Sequence, residues 1–386
     1  MPSTTRHAPV NSAFLSAPVS RRRFLQQISV AGAIALVARR ALGENVSPPS
    51  KRLGIALCGL GNYATDHLLP AIKQSRFWKV AGVVTGSRTK GEKWARDIGF
   101  SSKNIFSYDT MDRMANCPEI DVVYVVTPNG LHAQHTISAA RAGKHVICEK
   151  PMAVTVAECD AMIQACHSRG VRLMVGYRLH YEPHHLELAR LAREQTFGPF
   201  MTMSGENGYD VGDTPDKNNW RLIPRLSGGG PIMDMGVYVI QAVCMAKVES
   251  APVSVMAKFG PVTRPKVFTE VDQSIEWTMD YADGATAKCL ATYAETVSKF
   301  RAEAAGGWAE IEFPAFYYDD PVMMTSQGKP GLPSVNHQLA QMDAMASEIL
   351  ENRPSRTPGE MGRRDLAVIE AVYTAARTGK RTEVRA

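Results

Sequence analysis

No Asp or Glu occurs among the first 43 residues, which instead hold Arg6, Arg21, Arg22, Arg23, Arg39 and Arg40. Setting those six aside from the 44 Lys and Arg leaves 38 against 38 Asp and Glu, so the formal net charge of +6 belongs to the N-terminus alone. A formally neutral remainder gives no ground for nucleic-acid binding. Long apolar runs are also scarce near the N-terminus. The run from Ile28 to Ala38 is too short, and too rich in Ala and Gly, to cross a bilayer. Among the seven cysteines there is no C-x-x-C pair, and no spacing suits a metal, so no metal site is expected. The odd count rules out complete intramolecular pairing. Cys58 and Cys148 fall in predicted core strands and Cys159 and Cys166 in an amphipathic helical stretch, so the thiols read as reduced core residues. With 45% hydrophobic and 21% charged residues over a 386-residue chain, a globular protein of two domains is expected.

What the N-terminus does contain has an order. Ser20-Arg21-Arg22-Arg23-Phe24-Leu25 precedes the apolar run, and Ala41-Leu42-Gly43 follows it with small residues. This resembles a twin-arginine signal peptide over residues 1–43, followed by a short arm over 44–52. Export to the periplasm by the twin-arginine machinery is therefore expected, with no membrane association after removal. That route carries folded proteins, which points to a cofactor bound before export.

From Leu53 strand and helix alternate. Leu53 to Cys58 is a buried strand, followed by Gly59-Leu60-Gly61-Asn62-Tyr63-Ala64 and a helical run to about Lys73. In this G-x-G-x-x-A turn, Gly59 permits the tight bend, Gly61 admits a pyrophosphate, and Ala64 allows close helix packing. Further strands are predicted at 79–85, 104–107, 121–126, 145–150 and 172–176, with helical runs between them at 90–97, 110–116 and 131–143. The alternation predicts a parallel sheet with right-handed crossovers over residues 53–176. A carboxylate is missing after the second strand, where an NAD site would hold the ribose hydroxyls. Gly86-Ser87-Arg88 stands there, with Lys90 and Lys93 following. Ser87 and Arg88 suit a 2′-phosphate, so the expected cofactor is NADP.

The fifth strand ends in Glu149-Lys150-Pro151. A lysine there sits in the crevice above the strand ends, where open α/β sheets place their ligands. Pro151 holds Lys150 extended and makes a cis Lys150–Pro151 bond reachable.

Several ordered motifs now bear a family resemblance. They include Gly59-Leu60-Gly61, Pro128-Asn129-Gly130-Leu131-His132, Glu149-Lys150-Pro151, Gly176-Tyr177-Arg178, Trp220-Arg221-Leu222, Gly228-Gly229-Gly230 and Met233-Asp234-Met235-Gly236-Val237-Tyr238. The chain is similar to the Gfo/Idh/MocA oxidoreductase superfamily, and within it to the periplasmic glucose–fructose oxidoreductase branch. The resemblance implies an N-terminal Rossmann dinucleotide-binding domain and a C-terminal α+β domain, residues 177–386, with a large, mostly antiparallel open sheet. Strand-favouring stretches at 253–258, 273–281, 285–295 and 309–313, with a hairpin turn at Asp283-Gly284, are compatible with this. The free face of that sheet is implied as the contact of a homo-oligomer, dimer or tetramer.

By the same resemblance Lys150 matches the catalytic lysine, Asp234 the sugar-binding carboxylate, and Tyr238 the acid/base position. Asp234 and Tyr238 are four apart and so share a helix face. The implied cofactor-binding residues are Gly59, Gly61, Asn62, Tyr63, Ser87, Arg88, Lys93, Pro128, Asn129, His132, Glu149, Lys150 and Arg178. Substrate contacts are expected from Lys150, Arg178, Tyr181, Arg221, Asp234 and Tyr238, with His184 as a further candidate. Tyr238 would serve as base if the Lys150 ammonium lowers its pKa. The resemblance implies an exported sugar oxidoreductase. It would oxidise an aldose to the lactone and pass the hydride through tightly bound NADP to a second sugar, giving an alditol. In the resembled enzyme a long N-terminal arm covers the cofactor, whereas here the arm is short. Two alternatives stay open: a sugar or polyol dehydrogenase with exchangeable NADP(H), and a nucleotide-binding sensor without catalysis.

Overall fold

The computed structural model describes residues 52–385. The expected signal peptide and nearly all of the arm lie outside the described residues. Strands β1 (Leu53–Cys58), β2 (Trp78–Val84), β3 (Ile105–Phe106), β4 (Val122–Val125), β5 (His145–Cys148) and β6 (Leu173–Val175) form a parallel sheet in the order β3-β2-β1-β4-β5-β6. Every residue of β1 and β4 is buried, as expected of strands covered by helices on both faces. The order reverses between β1 and β4, and this opens the crevice at their C-terminal ends.

Two details differ from expectation. The run expected as a helix over 110–116 is a kinked 3₁₀ segment, Tyr108–Asn116, and the strand before it shrinks to two residues. Ser107 is the reason: its backbone N–H donates to Thr110 Oγ1 at 3.0 Å, which diverts the chain from the ladder. Likewise the first helix opens with a π-helical turn, Tyr63–Leu68, before Leu69–Gln74.

The second sheet contains β7 (Thr202–Gly208), β8 (Ser254–Phe259), β9 (Ser274–Asp280), β10 (Thr286–Thr292), β11 (Val297–Ala304), β12 (Gly307–Glu312), β13 (Val322–Thr325) and β14 (Thr382–Glu383). Their order is β13-β12-β11-β7-β10-β9-β8-β14. Only the β7–β10 pair is parallel among these described strands. Along β10 and β11 buried and exposed positions alternate, so one face is covered and the other open. The covered face packs on the helix Val237–Ala246, all ten residues of which are buried.

The segment Pro224–Ala246 has a mean hydropathy of 1.2 and could span a membrane by length and composition, yet 94% of its apolar window is buried within the protein. One buried cluster joins Ala56 and Val84 of the first sheet to Phe300 and Ile311 of the second. The boundary expected at residue 176 therefore separates two sheets that share a core. All seven cysteines are free and buried inside it. The helices His337–Leu350 and Gly359–Thr378 lie near the end of the chain.

Candidate functional site

A cleft of about 750 Å³ opens where the glycine turn meets the second sheet. Gly59 has φ +98°, and a Cβ there would lie 2.7 Å from the Val126 carbonyl oxygen. That position needs glycine for both its conformation and its contact with the end of β4. Gly61 plays a different part. A Cβ there would meet nothing within 4 Å, so the missing side chain leaves open space beside the first helical turn. Asn62 makes no side-chain capping bond and lines the cleft beside Tyr63. Free N–H groups at a helix start, beside a glycine that clears the approach, fit a pyrophosphate.

Across the turn, Pro128, Asn129 and His132 border the cleft. The amide nitrogen of Asn129 and both ring nitrogens of His132 are already engaged. Asn129 Nδ2 donates to the Ser227 carbonyl at 2.9 Å. His132 places Nδ1 2.9 Å from the Pro151 carbonyl and Nε2 2.7 Å from that of Thr127. These bonds hold the loops around the site.

The far wall carries the charged groups. Lys150 follows β5, and its peptide to Pro151 is cis. Its ammonium donates to the Asp234 carbonyl at 2.8 Å and to Asp234 Oδ1 at 3.1 Å. It also stands 4.3 Å from the centroid of the Tyr238 ring. Burial opposes the charge, but the fields of Tyr238 and Asp234 outweigh it and hold the lysine above its ordinary value. Arg221 Nε donates to Asp234 Oδ2 at 2.6 Å. Burial would raise the Asp234 carboxyl, yet Arg221 and then Lys150 overcome this and hold it well below the usual range. Asp234 is thus an ionised carboxylate with a cation on each oxygen and a lone pair to spare on each. Glu149 accepts from the Tyr124 hydroxyl at 2.6 Å, and burial pushes its carboxyl up. Buried Arg178 places its guanidinium 4.9 Å from the Tyr238 ring centroid and 4.8 Å from that of Tyr318.

The turn that leads into Asp234 is held from behind. Gly230 N–H donates to the Tyr373 hydroxyl at 2.8 Å and, more weakly, to Asp272 Oδ1 at 3.2 Å, and Tyr373 itself donates to Asp272 Oδ1 at 3.1 Å. Asp272 Oδ2 is buried without a partner, and burial pushes the carboxyl up to about 6. The folded protein therefore keeps a proton that the unfolded chain releases near pH 4. The stabilisation is complete below about pH 4 and is lost as the pH rises through about 6. Urea titrations are expected to show a fall on the order of 2–3 kcal/mol across that window, flattened in Asp272→Asn.

Three expected site residues are corrected. Tyr181 is buried away from the cleft, with its hydroxyl 3.2 Å from Thr357 Oγ1 and Arg356 over its ring. His184 places Nδ1 2.5 Å from Glu182 Oε1, in the cap of the helix Pro183–Arg193. Lys93 gives its ammonium to Asp97 at 2.5 Å on an exposed helix face. Lys90, three residues nearer the helix start, instead reaches the Leu60 carbonyl of the glycine turn. Ser87 caps this helix, accepting from Lys90 N–H at 3.3 Å, and Arg88 pairs with Glu92 at 3.0 Å.

Sequence reasoning also missed an aromatic wall. Tyr108, Tyr209, Trp220, Tyr317 and Tyr318 line the cleft. Trp220 stood inside a recognised motif, whereas Tyr108 opens a 3₁₀ segment and Tyr209, Tyr317 and Tyr318 come from loops with no local signal.

A dinucleotide-binding sheet whose crevice faces a lysine, a carboxylate and a tyrosine defines an oxidoreductase of the NAD(P)-dependent class. Residues 53–177 match the "Oxidoreductase family, NAD-binding Rossmann fold" and residues 185–311 the "GFO/IDH/MocA C-terminal domain". The chain belongs to the Gfo/Idh/MocA family. It is 37% identical to the aldose-aldose oxidoreductase of Caulobacter crescentus, solved with glycerol, at a TM-score of 0.81, covering 86% of this chain and 100% of that one. It is 28% identical over 334 residues to a D-xylose 1-dehydrogenase [NADP(+)] of Haloarcula marismortui, covering 84% of this chain and 91% of the relative. The scyllo-inositol dehydrogenase of Lactobacillus casei shares the fold, with a TM-score of 0.71 at 18% identity over 87% of this chain and 99% of that one.

Proposed function

We propose that this chain is an exported, NADP-dependent sugar oxidoreductase that oxidises an aldose at C1 and reduces a second sugar in the same cleft. The carrying observation is the meeting of Lys150, Asp234 and Tyr238 beside the glycine turn, with Lys150 Nζ 3.1 Å from Asp234 Oδ1. Similarity to an aldose-aldose oxidoreductase and to an NADP-dependent xylose dehydrogenase supports a sugar substrate.

The open space at Gly61 and the donors after it would hold the pyrophosphate, and Ser87, Arg88 and Lys90 the 2′-phosphate. Bound NADP would accept the hydride from one sugar and return it to the next. Asp234 orients sugar hydroxyls through its free lone pairs. Tyr238, as the phenolate, takes the proton of the anomeric hydroxyl as the hydride leaves C1 and becomes the neutral phenol, and the Lys150 ammonium beside the ring faces the phenolate charge before the transfer. Running backwards, Tyr238 returns that proton to the alkoxide of the second sugar. Protons and electrons balance over the pair of half-reactions, and the kinetics are ping-pong because the first product must leave the cleft before the second sugar enters.

Arg88→Ala is expected to weaken NADP binding about tenfold while leaving NAD binding unchanged. Fluorescence titration with both nucleotides checks this, and an equal loss for both would refute the role of Arg88.

The twin-arginine pattern supports periplasmic export, and the open face of the second sheet supports a homo-oligomer, dimer or tetramer. The similarity to a xylose dehydrogenase favours one second possibility, the same chemistry with exchangeable NADP(H). Purified protein is expected to carry NADP through gel filtration and to convert paired sugars with none added. Protein that elutes empty and turns over only with supplied NADP is the simple dehydrogenase instead.

A further inference from the structure

The second sheet sends one ring across the mouth of the cleft. Tyr318 is 44% exposed. It is nevertheless held by neighbouring groups. One side stacks on His67, with centroids 4.3 Å apart at 29°, and Tyr63 lies 6.1 Å away at the same inclination. The guanidinium of Arg178 also lies over the ring, 4.8 Å from its centroid.

The backbone that carries this ring is anchored to the second sheet. Phe316 N–H donates to Ser298 Oγ at 2.8 Å, and its carbonyl accepts from Arg178 Nη2. The Tyr317 hydroxyl donates to the Gly208 carbonyl. His67 and Tyr63 belong to the π-helical turn that starts two residues after Gly61. The stack therefore joins the first turn of the nucleotide sheet to a loop of the other sheet. A dinucleotide lying between the glycine turn and Lys150 would pass beneath it.

We propose that Tyr318 and His67 form a clasp that closes over NADP and sets the rate at which it leaves. This rests on the NADP assignment above. Bringing the nucleotide out requires the two rings to part, because the loops behind them are fixed by the bonds just described. Aromatic stacking supplies the barrier, so the ring matters and the hydroxyl does not. The clasp also accounts for an exposed tyrosine that contributes little to the core.

The test is the release of NADPH from preloaded protein into excess NADP, followed by nicotinamide fluorescence. Tyr318→Ala is expected to release NADPH about tenfold faster. His67→Ala, made on the opposite side of the stack, is expected to match it, and the double variant to be no faster than either single. Tyr318→Phe keeps the stack and should release at the wild-type rate. Wild-type release in Tyr318→Ala, or release from Tyr318→Phe as fast as from Tyr318→Ala, overturns the clasp alone. Additive effects in the double variant overturn it as well. A wild-type chain that binds no NADPH at any concentration overturns the cofactor assignment and the clasp with it.

Discussion

Lys150→Ala is expected to lose about three orders of magnitude in turnover while still folding and binding the nucleotide. The ammonium touches the Asp234 carbonyl and carboxylate and lies against the Tyr238 ring, so its removal takes charge from both groups at once. Asp234 keeps Arg221 at 2.6 Å, which spares the fold the full cost of an unpaired buried carboxylate. The glycine turn lies on a different strand, so nucleotide affinity should survive. Lys150→Arg should fail to rescue, because a planar fork cannot reproduce the compact ammonium between Asp234 and Tyr238. Sugar turnover alongside nucleotide titration checks this. Near-normal turnover in Lys150→Ala would remove the lysine from the chemistry.

Tyr238→Phe should be comparably damaging for a narrower reason. The variant keeps the ring that faces Lys150 and Arg178 and deletes only the oxygen that carries the proton. A fall in kcat of about 10²–10⁴ is expected, with KM and thermal stability little changed. Proportional losses in KM and stability would instead mark Tyr238 as a packing residue. The contrast with Lys150→Ala is informative, since only the lysine variant alters the charge around Asp234.

Much of this site was legible because its parts are local. The turn from Gly59 to Ala64 and the Glu149-Lys150-Pro151 strand end each stand out within a few residues, and both border the cleft. Lys93 was misjudged within another short segment. Lys90 and Lys93 lie on one helix, and only the position of Leu60 in space shows which of them reaches the glycine turn. Tyr181 and His184 follow Arg178 closely in sequence, but they turn to Thr357 and Glu182 instead of the cleft. Side-chain direction through the 3₁₀ turn that ends at Tyr181 and into the first helical turn that holds His184 is set by tertiary partners and leaves no periodic trace. Strands β7 and β11 escaped for a related reason. Their buried positions hold Met203, Gly205, Ser298 and Ala302 among others, and these small or flexible residues carry weak strand preference.

The sequence by itself determined the class of protein: alternating strands and helices, a glycine turn between the first pair, and a lysine after the fifth strand, all set by backbone preferences and apolar period over short stretches. Only the tertiary structure decided how the cleft is closed. The ion pairs on Asp234 and the ring of Tyr318 on His67 join segments far apart in the chain. Such contacts depend on how two sheets pack over a shared core, and no local preference encodes that packing.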